Sequence, residues 1–266
     1  MTVKFIGTGE EDMSIVQYEK DGNVGLVTLN KPPHNLINDE LIQALLAAYD
    51  QAVAEGCRAI LLRSAMRHFC AGADVDGFKG GSRRREQHEL EELLDRLESV
   101  PVPVIAAVHG AALGGGFEIA LTCDLIVAAD TAFLGMAEAS LGLIPLLGGV
   151  QRVAQRVGPA RAKELAMFAR RNDPATLERW GVINLVVPED DLAEAAISWA
   201  RQLAAGPTVA LNAIKTLANQ SARNGIAGAD PQQTELNNRI WASEDKSIGV
   251  KAFLETGPGT AQFKGA

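Results

Sequence analysis

Long apolar runs are missing from this chain of 266 residues. A helix that crosses a bilayer needs about 20 predominantly apolar residues. Val102–Val108 stops at His109, and the stretch Leu113–Asp130 is interrupted by Glu118 and Asp124, so no membrane association is expected. A basic excess is missing too. The 25 Lys+Arg stand against 33 Asp+Glu, a formal net charge of −8. That argues against a general nucleic-acid binder or an anionic-membrane coat, both of which need a basic surface to neutralise phosphates. Cysteine is scarce: Cys57, Cys70 and Cys123 form no CxxC pair, which reads as three buried reduced thiols rather than a disulfide framework or a zinc site. The histidines His34, His68, His88 and His109 are scattered, His88-Glu89 does not continue as HExxH, and no metal is expected. Met1–Asp12 has no long apolar region and turns acidic, unlike a secretory signal, so the expected address is cytoplasmic.

What is present is an ordinary globular composition, 47% hydrophobic and 22% charged, long enough to bury a sizeable core. Ser14–Lys20 and Asn23–Asn30 alternate apolar and polar residues around Asp21-Gly22 and predict a hairpin. Asn38 caps a predicted helix with Asp39 and Glu40 in its first turn. Its apolar stripe is Leu41, Ile42, Leu45, Leu46, Tyr49 and Val53, and it ends at Gly56. Ala59–Leu62, Val104–Val108 and Leu125–Ala128 read as buried strands, with an acidic helix over Glu86–Val100. Beyond them, Ala160–Phe168, Pro174–Arg179, Asp191–Ala205, Pro207–Asn219 and Asp230–Leu254 read as helices, broken by one short strand at Asn184–Val187. Gly77–Ser82 is the most linker-like internal stretch.

Two apparent motifs dissolve on inspection. Gly7-Thr-Gly9 lacks the third glycine and the following helix of a dinucleotide-binding turn, and Glu138-Ala-Ser140-Leu-Gly142 has a glutamate where a serine-hydrolase elbow needs glycine. A third is stronger. Gly114-Gly115-Gly116 follows the strand Val104–Val108 and opens a predicted helix, where backbone N–H groups can hold a developing oxyanion. A glycine run alone is more simply explained by close packing of a helix on a sheet. Glu118 in the helix's first turn tips the balance, because a carboxylate in apolar surroundings is costly unless paired or used, and burial pushes its pKa toward the range of proton transfer. Phe69-Cys-Ala71-Gly72-Ala73-Asp74 supplies a second turn of small residues, and Glu138 is a second acid among apolar neighbours, 20 residues after Glu118. With neither nucleophile nor metal ligands at hand, these point to paired general acid/base work.

Together, Ala71-Gly72-Ala73-Asp74, Gly114-Gly115-Gly116-Phe-Glu118-Ile-Ala-Leu-Thr-Cys-Asp124, Gly148-Gly-Val-Gln-Arg152 and Arg179-Trp-Gly-Val-Ile-Asn-Leu-Val-Val187 resemble the enoyl-CoA hydratase/isomerase (crotonase) superfamily over nearly the whole chain. The resemblance implies an α/β fold: a spiral of ββα units with two near-perpendicular sheets over residues 1–205, and a C-terminal helical trimerisation region over 206–266. It implies a homotrimer or dimer of trimers. The substrate would be an acyl-CoA thioester, with no cofactor beyond the coenzyme A of the substrate itself. The backbone N–H groups of Ala73 and Gly115 would form the oxyanion hole, with Glu118 and Glu138 catalytic. Ala71, Gly72, Asp74, Leu113, Gly114, Pro145, Leu146 and Phe253 would contact substrate. Glutamates at both positions favour a hydratase, Glu118 mainly activating water and Glu138 mainly protonating Cα. An isomerase, another chemistry of the superfamily, or a catalytically silent acyl-CoA-binding or RNA-binding relative are the alternatives. Four positions depart from the usual pattern: Ala137 for a proline, Leu146 for a glycine whose N–H holds water, Asp76 for a lysine near the CoA, and Thr256 for a basic residue.

Overall fold

The structure, a computed structural model, describes residues 14–74 and 86–266. The expectations for Met1–Asp12, Asp76 and the Gly77–Ser82 stretch lie outside the described residues. β1 (Val16–Asp21) and β2 (Val24–Leu29) form the expected hairpin, Val16 pairing Leu29 and Asp21 pairing Val24. Gly22, at φ +59, takes the tight turn between them. α1 (Asp39–Ala54) follows, with the Asn38 side chain accepting from the Leu41 N–H and the predicted stripe buried from Leu41 to Tyr49. β3 (Ala59–Ser64), α2 (Gln87–Glu98), β4 (Val104–Val108), α3 (Gly115–Thr122) and β6 (Leu125–Ala129) come next in the order read from the sequence.

Between these elements lie two strands that the sequence reading does not isolate, β5 (Ala111–Leu113) and β7 (Phe133–Gly135), each of three residues. They pair with one another in parallel, and single bridges Ile37 to Ala73, Cys70 to Ala112 and Leu134 to Asn172 continue their sheet on either side. The large sheet runs β1-β2-β3-β4-β6-β8, with β8 at Leu185–Val187, antiparallel only in the hairpin. A repeated unit is thus visible. Each turn of chain gives one strand to the large sheet, one short extended piece to the small one, and then a helix. Every residue of β2 and β4 is buried, as parallel strands covered on both faces require.

α4 (Gly149–Val157), α5 (Pro159–Phe168), α6 (Pro174–Trp180) and α7 (Leu192–Ala204) complete the body, α7 packing across β2, β3, β4 and β6. α4 is absent from the sequence reading. Its apolar face is short, and it begins on glycine. The last two helices also differ in outline from the expectation. α8 runs Thr208–Ala242 with its helical path broken at Gly225, and Ser243 separates it from α9 (Glu244–Thr256), where one helix was expected over Asp230–Leu254. The arm is tied down by polar contacts. Lys215 pairs with Asp124 at 2.8 Å and donates to the Val102 carbonyl, and Arg58 donates to Thr208 Oγ1 and to the Gly206 and Phe263 carbonyls. All three cysteines are free and buried. No helix among the described residues is long and apolar enough to cross a membrane.

Candidate active site

The site lies where the small sheet meets the start of α3. The Ala71–Asp74 turn follows β3, and its backbone groups are mostly spent. Ala71 N–H donates to the His34 carbonyl, the Gly72 carbonyl accepts from Ile37 N–H, and Asp74 N–H donates to the Ile37 carbonyl. With both neighbours bonded to Ile37, the pleat turns the Ala73 N–H away from that strand, toward α3. A Cβ built on Gly115 would lie 3.9 Å from the Ala73 nitrogen, so the two residues face each other. Gly115 is the first residue of α3, where N–H groups have no intrahelical acceptor. Among the described residues neither the Ala73 nor the Gly115 N–H donates to another backbone group. Two donors aimed at one space beside a helix N-terminus can hold a negatively charged oxygen.

Gly114 shapes the turn between them. Its φ of +50 favours glycine, its N–H is spent on the Gly135 carbonyl, and its carbonyl accepts from Glu118 N–H. A Cβ there would come within 2.6 Å of Glu138 Oε1. One glycine therefore touches both acids: it anchors Glu118 through the backbone and leaves room for the Glu138 carboxylate. The neighbouring Leu113 donates its N–H to the Cys70 carbonyl and is half-buried.

The two carboxyl groups sit in different surroundings. Glu118 is 1% exposed, and its Oε1 accepts from the Gly149 N–H at 2.8 Å. Burial pushes its pKa up to about 7, with the nearby Glu138 charge adding to the rise, while the N–H groups of Gly149 and Leu147 and the Arg152 guanidinium pull the other way. Glu138, half-buried at the start of a short 3-10 turn (Glu138–Leu141), is also raised by burial, and its Oε2 is buried with no hydrogen-bond partner. A buried acceptor without a partner is costly unless something else uses it. Two acids with raised proton affinity, held around one glycine beside two free N–H donors, can together take a proton from one atom and deliver one to another.

Of the remaining residues, Pro145 is buried and Leu146 is 43% exposed on the loop that leads into α4. Phe253 is not gathered with the glutamates in a single chain: it stands 61% exposed on α9, which packs on α8. The sequence reading does not single out Gly149 and Leu147 as partners of Glu118. The available signal was the Gly148-Gly149 pair of the Gly148-Gly-Val-Gln-Arg152 segment, since a Cβ on Gly149 would lie 2.8 Å from Glu118 Cγ. Among the described residues, no group of three or more His, Cys, Asp or Glu side chains is arranged to hold a metal ion.

The chain is similar to known proteins over nearly its whole length. The family model for Enoyl-CoA hydratase/isomerase matches residues 19–265. A protein named probable enoyl-CoA hydratase from Rhizobium meliloti (strain 1021) is 37% identical over 243 residues, covering 89% of this chain and 93% of the relative. The 2,3-dehydroadipyl-CoA hydratase of Escherichia coli (strain K12) is 31% identical over 256 residues, covering 95% of this chain and all of the relative, 100%. A crystal structure from Geobacillus kaustophilus HTA426, described as enoyl-CoA hydratase subunit I, superposes with a TM-score of 0.86 at 33% identity, covering 95% of this chain and 99% of that one.

Proposed function

Since the chain belongs to the enoyl-CoA hydratase/isomerase family and has its crotonase fold, we propose that it adds water syn across the double bond of a trans-2-enoyl-CoA. The thioester carbonyl would accept from the Ala73 and Gly115 N–H groups, which stabilise the enolate formed as charge moves onto that oxygen. Glu118, whose pKa burial pushes up to about 7, takes the proton from the attacking water in its ionised form. Glu138 delivers a proton to Cα as the hydroxyl joins Cβ, and the proton that Glu118 took from water then passes to Glu138, so that both acids return to their starting forms. Coenzyme A enters only as part of the substrate. Proton transfer and charge stabilisation both come from the chain's own groups, so no further cofactor belongs to this reading.

The observation that carries it is the pair of acids with raised proton affinity on either side of Gly114, next to the two unspent N–H groups. We assign the working form to a homotrimer or dimer of trimers built through α8 and α9, a reading supported by the exposed Trp241, Val250, Phe253 and Leu254 on that arm. In such an assembly Phe253 would reach substrate from the arm. The three buried free thiols support a cytoplasmic address.

The test is loss of conjugated-thioester absorbance on crotonyl-CoA and on a longer 2-enoyl-CoA. Glu118→Gln and Glu138→Gln should each lower kcat by about 10²–10⁴, the range for a general acid or base. An inert wild type that still binds CoA esters would refute the hydratase reading. The unpartnered Oε2 of Glu138 favours one second reading, a Δ3,Δ2-enoyl-CoA isomerase in which Glu138 alone shuttles the proton. Turnover of a 3-enoyl-CoA that survives Glu118→Gln and not Glu138→Gln would select it.

A further inference from the structure

The N–H groups that face Glu118 belong to Leu147 and Gly149, where the chain turns through Gly148 into the first residue of α4, and something must fix that turn. Arg152, one helical turn further on in α4, reaches back over it: its Nη1 donates to the Gly148 carbonyl at 3.2 Å and lies 3.4 Å from the Leu147 carbonyl. The fit is close, since a Cβ on Gly148 would lie 2.3 Å from Nη1. The other edge of the guanidinium is fastened. Arg152 Nε donates to Glu98 Oε1 at 2.6 Å, and both side chains are largely buried, 12% and 15% exposed. Glu98, at the end of α2, spends its second oxygen on Arg223 of α8, which also pairs with Asp95 one turn earlier in α2. A chain of planar, charge-assisted contacts therefore runs from the C-terminal arm through α2 to the turn that touches the acid.

We propose that Arg152, braced by Glu98 and Arg223, is the positioning residue for Glu118, holding the 147–149 turn so that its two N–H groups stay aimed at the carboxylate. Arg152 does not meet the substrate in this scheme. It acts through the turn, and only secondarily through its charge. Three kinds of group face Glu118 from the elements around it: the N–H groups of Leu147 and Gly149, the Glu138 carboxylate, and the Arg152 cation, which is itself paired with the Glu98 anion of α2. Loss of the N–H groups leaves burial and Glu138 to dominate, and both raise the proton affinity of Glu118.

The inference rests on the hydratase reading only for the use made of Glu118, so its first readout is free of turnover. The carboxylic C=O infrared band of Glu118, assigned by its disappearance in Glu118→Gln, is followed from pH 5 to pH 9 without substrate. Arg152→Gln should move the midpoint upward by about one pH unit, a tenfold gain in proton affinity. Arg152→Lys keeps the charge but cannot bridge Glu98 and the two carbonyls, and should show at least half of that rise. Where Arg152→Gln does not fold, Glu98→Gln removes the brace and should shift the midpoint in the same direction by less. Arg96→Gln, on the same helix as Glu98, breaks an exposed pair with Asp50 of α1 and is the control with no shift. In the hydration assay the acid limb of kcat/KM should move with the infrared midpoint, costing about tenfold at pH 6 and recovering at high pH, with KM unchanged. A wild-type midpoint in Arg152→Lys or Glu98→Gln overturns the proposal, the first because charge alone then suffices. An infrared shift in a protein that hydrates nothing would sink the hydratase reading and leave this one standing.

Discussion

The body of the molecule, up to α7, and the C-terminal arm, α8 and α9, break the ordinary rule of burial in different proportions. In the body, where Leu141, Leu143, Ile144, Leu146, Met167 and Phe168 stand open against a far larger buried core, the exception that matters for chemistry is a polar group inside. Glu118 is 1% exposed beside an apolar core, and a carboxyl group there is expensive unless it works. In the arm, where Asp245 is the one buried charged group among the described residues, the exposed large apolar side chains outnumber the buried ones. Ile214, Ile226, Trp241, Val250, Phe253 and Leu254 all stand open, while Ala213, Ala229 and Leu236 are the buried hydrophobics. The first pattern marks chemistry and the second marks a surface that another chain would cover, the assembly proposed above. Where the two regions meet, polar contacts tie them together: the ion pairs of Lys215 and Arg223 and the hydrogen bonds of Arg58.

The comparison can be broken hardest at the buried acid. Glu118→Gln should cost 10²–10⁴ in kcat on crotonyl-CoA, about 3–5 kcal/mol of barrier, while circular dichroism stays unchanged. A small loss would mean that the polar exception is not chemical. Next is the seam between the regions. Lys215→Met leaves Asp124 buried without its partner and should lower unfolding stability by about 3 kcal/mol in denaturant titrations.

The same Glu118→Gln variant should be the more stable protein in alkali. Between the ordinary value of 4.5 and about 7 the folded protein binds a proton that the unfolded chain has released, so stability falls as pH rises through that window. At pH 8 the variant should gain up to about 3 kcal/mol, and at pH 4 almost nothing, by thermal melts at the two pH values. Smallest in energy is the arm. Phe253→Ser should shift the assembly toward smaller species at micromolar concentration, about 1–2 kcal/mol per interface, read by light scattering. An unchanged mass would show that the open apolar residues have another use.

How much of this was legible beforehand divides along physical lines. α1 was readable because cap, acidic first turn and stripe agree locally, Asn38 through Tyr49. The strand-to-helix turn at Gly114 was readable because glycine leaves a visible mark. The three-residue strands β5 and β7 were not, since three residues carry no period, and α4 was missed because glycines open it and arginine and glutamine dominate its outer face. Glu118 and Glu138 could be named as candidates from their apolar settings, but their approach across Gly114 came only from the family resemblance. The contacts of Glu118 with Gly149, 31 residues away, and of Glu98 with Arg152, 54 residues away, are tertiary events with no local signature.

The order of the large sheet, β1-β2-β3-β4-β6-β8, is also the order of the chain. Each strand finds its neighbour already present when it leaves the ribosome, so the sheet can be laid down vectorially without waiting for a distant partner, and parallel pairing, slow when its contacts are far apart, proceeds here turn by turn. The N–H group that binds the acid at residue 118 lies 31 residues further along the chain, so the site is completed only when β6 and β7, which lie between them, have joined their sheets.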